Sequence, residues 1–369
     1  MEKLQKEKND YSNKEELAKL VKSMKAAIYY NIGDIRYEEV NIPEVDPQEV
    51  LLKVKAAGIC GSDVFRVMKA GSYSHPLIPG HEFSGEVVEI GKKVTNVKVG
   101  DRVVAIPLIP CRKCNLCNIG QYSLCENYNY LGSRSDGGFA EFAKLPQGNL
   151  LKLPSSLSYE EAAMVEPAAV ALHGVLRAEI NIGNRVAVLG GGSLGLLAVQ
   201  WAKIMGATQI YVVDIVEEKL KIAKEVGANY CINAKDTEPV KQIMSITKNN
   251  GVDVAIEAVG SNVTREQSLR LTTKLGKVLC LGSAYSQVIF PANVYEYILR
   301  HELTILGSWN SYSAPFPGRE WRNTLYFLQN GRLKVKPLIT HKFKLKEVSR
   351  VFQAMLNQDF TFGKVLFVS

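Results

Sequence analysis

Short, partly alternating apolar stretches occupy residues 24–35, 37–42 and 50–57, each cut off by Gly, Asn, Pro or acidic residues. The segments EFSGEVVEIG (82–91) and DRVVAIPLIP (101–110) repeat the habit. Alternation of period two between turn residues predicts strands, and a series of such short strands predicts a barrel-like or irregular β-rich unit. Residues 160–179, EEAAMVEPAAVALHGVLRAE, mix small and long aliphatic side chains instead. They predict a helix that Pro167 starts or interrupts.

From residue 184 the pattern becomes strand, helix, strand. NRVAVLG (184–190) reads as a buried parallel strand, SLGLLAVQWAKIMG (193–206) as a helix stopped near Gly206, and QIYVVD (209–214) as the next strand. The alternation continues through VEEKLKIAKEVG, NYCIN, PVKQIMSITKN and VDVAIEAVG to GKVLCLGS (276–283) and LTILGS (303–308). This succession predicts an α/β, doubly wound parallel sheet over 179–310. Residues 311–369 return to loops, with a helix expected at 319–330 and strands near 335–345 and 364–368. The expected organisation is a charged extension (1–23), a β-rich unit (24–178), the α/β unit (179–310) and a final segment that rejoins the β-rich unit.

A chain of 369 residues is long enough for two cores. It has no uninterrupted apolar run of about 18 residues, so no membrane span is expected. Residues 1–23 are rich in Lys, Glu and Asn and lack the apolar stretch of a secretory signal. They read as a short arm that either stays in solvent or touches a neighbouring subunit, and a cytoplasmic location is expected. The formal net charge of +8 comes from residues spread along the chain. It implies a solvated surface or attraction of an anionic metabolite; without a zinc-finger, KH or RRM pattern, nucleic acid is not an expected partner.

Chemistry enters with the glycines. Gly190, Gly192 and Gly195 follow a strand directly and lead into a helix, with Ser193 and Leu194 between the last two. The first glycine allows the tight turn, the second lets a pyrophosphate approach the backbone, and the third allows close helix–sheet packing. Asp214 ends the following strand, where its carboxylate either caps the strand or accepts ribose hydroxyls. A carboxylate there repels a 2′-phosphate, and Ile215, Val216 and Glu217 supply no arginine, so NAD is favoured over NADP.

Four of the seven cysteines, Cys111, Cys114, Cys117 and Cys125, form C-x2-C-x2-C-x7-C. Four thiolates surround zinc tetrahedrally and leave no open position, which suits a structural ion; an iron–sulfur cluster uses the same ligands. A second set comes from AGICGSDV, PGHEFSG and MVEPAAV, in which Cys60, His81 and Glu166 offer thiolate, imidazole and carboxylate. Three such ligands leave a place for water or alcohol on a catalytic zinc. Taken singly they are equally a core cysteine, a structural histidine and a helix-terminal acid.

In their order along the chain, GHE, the four-cysteine lobe, EP and the glycine-rich turn resemble the zinc-containing medium-chain dehydrogenase/reductase family, from Met24 to Ser369. The resemblance implies a discontinuous GroES-like catalytic domain around a Rossmann coenzyme domain, and an NAD-linked oxidoreductase with two zinc ions per chain. It implies a homodimer or homotetramer. Cys60, His81 and Glu166 then align as catalytic-zinc ligands, Glu82 as a mobile carboxylate beside the metal, and Ser62 as the first hydroxyl of a proton relay, with Asp63 orienting His81. Glu166 stands where many alcohol dehydrogenases have cysteine and is similar to polyol dehydrogenases. Phe65 replaces a relay histidine, which leaves the proton's exit to ribose, water or another group.

The stretches CGSDVFR, AIPLIPC, LGSRSDGGFAEF and GSWNSYSAPFPGREW further resemble the galactitol-1-phosphate 5-dehydrogenase branch. That implies oxidation of galactitol 1-phosphate to tagatose 6-phosphate. Sorbitol or another polyol is the alternative substrate, and a zinc-stabilised NAD-binding protein without catalysis is the non-enzymatic one. For an anionic sugar-alcohol phosphate, Lys69 and Arg134 are the candidate cations, with Arg66 and Arg300 behind them. Tyr73, Trp309 and Asn310 would shape the cleft or merely pack its loops.

Overall fold

The computed structural model describes residues 23–369. The predicted N-terminal arm therefore lies outside the described residues, apart from Ser23.

The α/β unit is a six-stranded sheet with every neighbouring pair parallel. Its order is Tyr230–Asn233, Gln209–Asp214, Arg185–Leu189, Val252–Glu257, Thr272–Cys280 and Thr304–Gly307. In chain order that is 3-2-1-4-5-6, the Rossmann arrangement, whose strand order reverses beside the first strand. Ala187, Leu189, Tyr211, Val213 and Ala255 bury one face, and Val186, Val188, Ile210, Val212 and Ile256 the other. Continuous apolar strands follow from that two-sided burial.

The β-rich unit centres on a second sheet ordered Ile339–Phe343, Lys364–Val368, Glu49–Ile59, Glu82–Ile90, Arg102–Ala105 and Leu150–Lys152. Phe142–Pro146 also pairs with Glu49–Ile59. The chain's final strand thus lies antiparallel against an early one, with Val365 opposite Ile59. Phe83, Phe139, Phe352 and Phe367 pack in this core, and the Val348–Asn357 helix supplies Val348, Val351 and Phe352. The fold is accordingly a discontinuous GroES-like β-rich domain with a Rossmann domain inserted.

Two elements differ from expectation. The segment at 160–179 forms two helices, Tyr159–Ala163 and Val165–Arg177. Ser158 and Glu161 cap the first reciprocally, and Pro167 occupies the first turn of the second, where a missing N–H costs nothing. The sequence reading also left Ala292–His301 without an assignment. That helix carries an apolar stripe, with Val294 buried and Ile298 packed beside it, which was readable in the sequence and was passed over.

Among the described residues, no helix is long and apolar enough to cross a membrane.

Candidate active site

Three neighbouring strands build the centre of the site. Gly58 pairs with Glu82 and Ile59 with Val365, so the end of one strand and the starts of two others lie side by side. Cys60 follows the first strand, His81 and Glu82 stand at the start of the second, and Lys364 starts the third. The ligand atoms of Cys60, His81 and Glu82 all lie within 4.8 Å of one another. Gly58 has a steric reason: a Cβ there would run into the Glu82 carboxylate.

Charges surround this group in an ordered way. His81 Nδ1 stands 3.1 Å from Asp63 Oδ1, which leaves Nε2 as the atom free for a metal. Burial disfavours a charged imidazole, but the Asp63 carboxylate and Cys60 together outweigh it and draw the His81 pKa well above the usual value. Burial likewise opposes ionisation of Asp63, yet His81 and Arg66 hold its pKa below the ordinary value. The Asp63 side chain also accepts the Cys60 amide at 3.0 Å. Arg66 Nη2 donates to Asp63 Oδ1 at 3.0 Å and to Ser62 Oγ at 3.2 Å.

Lys364, absent from the sequence-based set, is 4% exposed and donates to both Glu82 oxygens, at 2.8 and 2.6 Å, and to the Ile59 carbonyl. Burial works against its charge, and Glu82, with Cys60 and Glu166, more than compensates, raising its pKa. A lysine opening the apolar run KVLFV is the signal that sequence reading could have used, because such a charge is buried only with a partner.

Glu166, on the first turn of the Val165–Arg177 helix, lies outside the tight group of three. Its Oε1 accepts the Tyr130 hydroxyl at 3.0 Å, and the Tyr130 and Tyr312 hydroxyls are 3.4 Å apart. Burial, with Glu82 adding repulsion, pushes the Glu166 carboxyl up to about 7. Both tyrosines are held far above their usual pKa by burial first, so they remain hydrogen-bond donors. Of the set Cys60, His81 and Glu166, the structure groups the first two with Glu82 and holds the third on a phenol.

The four cysteines at 111–125 also converge. Their sulfurs lie within 4.8 Å of one another, with Cys111–Cys117 and Cys114–Cys125 both at 4.0 Å. Thiolates on a tetrahedral zinc at 2.3 Å would be ~3.8 Å apart, so the donor set fits zinc and is too open for disulfides. The Lys113 amide and neighbouring donors lower the Cys111 pKa to about 6, whereas burial pushes Cys117 up to about 12.

The nucleotide turn has the shape its glycines require. Gly190 has φ +110°, and a Cβ on Gly195 would strike the Gly190 carbonyl oxygen. Gly192 precedes the Ser193–Ile204 helix with no side-chain cap, and a Cβ there would meet nothing within 4 Å. Free amides at that helix start, Ser193 and Leu194 among them, suit a pyrophosphate. Asp214 Oδ2 accepts the Gly191 amide at 2.6 Å, and Oδ1 accepts those of Ile215 and Val216. The carboxylate is therefore fixed at the turn and retains acceptor capacity for a ribose.

Residues 46–155 match the family described as Alcohol dehydrogenase GroES-like domain, and residues 193–330 match Zinc-binding dehydrogenase. Galactitol 1-phosphate 5-dehydrogenase of Escherichia coli (strain K12) is 33% identical over 346 residues, 94% of this chain and 100% of that one. The chain belongs to the zinc-dependent alcohol dehydrogenase family. Within this oxidoreductase family, sorbitol dehydrogenase of Bacillus subtilis (strain 168) is 35% identical, covering 90% of this chain and 94% of that one. The crystal structure of the E. coli galactitol-1-phosphate dehydrogenase superposes with a TM-score of 0.88 over 94% of this chain and 100% of that one. A putative zinc-binding dehydrogenase of Sinorhizobium meliloti 1021 bound to NADP, 34% identical, gives 0.86 over 94% of this chain and 99% of that one.

The expected substrate residues are placed differently from one another. Lys69 is exposed on the short Arg66–Ala70 helix, and Trp309 is 55% exposed. Asn310, at φ +55°, has a buried amide nitrogen without a hydrogen-bond partner. Arg134 is exposed on the loop after Asn129–Tyr130. Arg300 pairs with Glu296 along an exposed helix face.

Proposed function

We propose that the protein oxidises galactitol 1-phosphate to tagatose 6-phosphate with NAD as hydride acceptor. The observation that carries the reading is the Cys60–His81–Glu82 group, whose ligand atoms lie within 4.8 Å of one another, with His81 and Glu82 buried and Cys60 partly so. Bound zinc supplies Lewis acidity toward an alcohol oxygen, and NAD accepts the hydride. Cys60 and His81 would hold the metal with Glu82 or Glu166, and the Asp63 carboxylate, 3.1 Å from Nδ1, would orient the imidazole. Ser62, two residues beyond Cys60, offers a hydroxyl for the departing proton, and Arg66 donates into its oxygen at 3.2 Å. Tyr130 donates to Glu166 and Lys364 to Glu82, so each of the two carboxylates has its own donor.

The second zinc in this reading belongs to Cys111, Cys114, Cys117 and Cys125. NAD is preferred because Asp214 is fixed where a 2′-phosphate would sit. A cytoplasmic location suits seven cysteines that are all unpaired. A homodimer or homotetramer is part of the proposal, supported by the terminal position of Thr304–Gly307 in its sheet and by exposed Ile305, Tyr295 and Leu299 nearby in the chain.

Oxidation of an unphosphorylated polyol is the second reading, favoured by the 35% identity to a sorbitol dehydrogenase. Initial rates of NADH formation with galactitol 1-phosphate, galactitol, sorbitol, L-threonine and simple alcohols separate the two. The proposal expects the highest kcat/KM with the phosphorylated compound. Higher values with sorbitol would establish the second reading, and no NADH across the panel would remove the catalytic one.

A further inference from the structure

A substrate carrying a phosphomonoester at one end and its reacting carbon near the other needs a cation set back from the metal donors. Four basic residues were candidates from the sequence. Arg66 is committed to Asp63 and Ser62, and Arg300 is paired with Glu296. Lys69 has no ion pair among the described residues, but no aromatic wall fixes its flexible ammonium.

Arg134 is different. No carboxylate among the described residues pairs with its guanidinium, which lies 4.4 Å from the Tyr73 ring centroid and 4.6 Å from that of Tyr128. Two rings restrict the planar group while leaving its N–H edges unused, so little entropy remains to be lost on binding. The backbone around it is also held. The Arg134 amide donates to the Tyr130 carbonyl at 2.9 Å, Ser72 Oγ donates to the Ser133 carbonyl at 3.2 Å, and Ser74 Oγ reaches the Arg134 carbonyl at 3.5 Å. Tyr130 is the residue whose phenol donates to Glu166. One short segment therefore joins the metal-side carboxylate to an unpaired, pre-oriented arginine.

We propose that Arg134 is the specificity-determining residue that receives the substrate's phosphate, through the two parallel N–H···O bonds a guanidinium can make. The inference rests on the polyol-phosphate reading and deepens it. Tyr73 and Tyr128 act as the walls that aim the guanidinium.

The test uses the zinc-loaded full chain with saturating NAD and compares Arg134→Met and Arg134→Lys with wild type. In Arg134→Met, kcat/KM for galactitol 1-phosphate should fall by roughly 10–100-fold, mostly through KM, while that for galactitol stays within about twofold. Competitive inhibition by inorganic phosphate should weaken in parallel, and Arg134→Lys should recover part of both losses. Equal losses on the two substrates, or an unchanged preference for the phosphorylated one, would overturn the assignment. A wild type with neither phosphate inhibition nor preference for the phosphorylated substrate would overturn the polyol-phosphate reading and this inference together. Phosphate inhibition that Arg134→Met abolishes, in an enzyme favouring unphosphorylated polyols, would keep the anion receptor and refute only the substrate.

Discussion

The two clusters of metal-binding side chains solve opposite problems. The cysteine lobe draws four identical donors from fifteen consecutive residues, 111–125, and its sulfurs alone account for its geometry. The centre at Cys60, His81 and Glu82 draws on distant parts of the chain and is ringed by opposed charges: Asp63 on His81, Arg66 on Asp63, Lys364 on Glu82. The first arrangement suits a closed, structural ion. The second keeps two carboxylates, Glu82 and Glu166, near one place while giving each a competing donor. On the proposed reading the first is a closed four-thiolate site, and the second is the one with a carboxylate to exchange.

The comparison breaks most directly on the ligands themselves. His81→Ala should lower kcat/KM by roughly three orders of magnitude, about 4 kcal/mol of barrier, and leave the lobe's metal in place. Cys114→Ser should do the reverse, lowering the thermal midpoint while the folded fraction keeps most of its turnover. Paired kinetic and thermal-unfolding measurements decide between them, and a swapped pattern would invert the two roles.

Lys364 gives the next largest effect. Lys364→Met leaves the Glu82 carboxylate buried without its cation, which should cost about 3–5 kcal/mol of stability in denaturant unfolding. The loss should be smaller in zinc-loaded protein, where the metal's charge neutralises Glu82, and larger after chelation. An equal loss in both states would separate Lys364 from the metal.

The cofactor preference comes next. The double substitution Asp214→Ser, Ile215→Arg should move the ratio of kcat/KM for NAD over NADP toward NADP by roughly 10–100-fold, the worth of one charge-assisted contact. An unchanged ratio would mean that Asp214 serves only the turn it caps. The smallest change is Tyr130→Phe, which removes one hydrogen bond to Glu166 and should cost about 1 kcal/mol of stability. A rise in zinc retention by this variant would show that the phenol holds Glu166 away from the metal.

The same contrast explains what was legible in the sequence. The lobe is readable because ligand spacing within one loop is itself the geometry, and the glycine turn because strand, turn and helix are consecutive. The central Rossmann strands were readable because burial on both faces makes them apolar throughout. The catalytic centre depends instead on which strands become neighbours, and no local pattern records that Val365 lies opposite Ile59. Lys364 was therefore missed, as were Tyr130 and Tyr312, whose hydroxyls meet from positions far apart in the chain. The grouping of Glu82, rather than Glu166, with Cys60 and His81 follows from strand register, since Glu82 begins the strand paired with Gly58.

On the proposed reading, a second, exchangeable ion sits on Cys60 and His81 while the lobe keeps its own. Zinc content per chain, measured by elemental analysis on purified wild type and His81→Ala, tests it. About two ions are expected in wild type and about one in the variant. Two ions retained in His81→Ala, or a single ion in a fully active wild type, would contradict it.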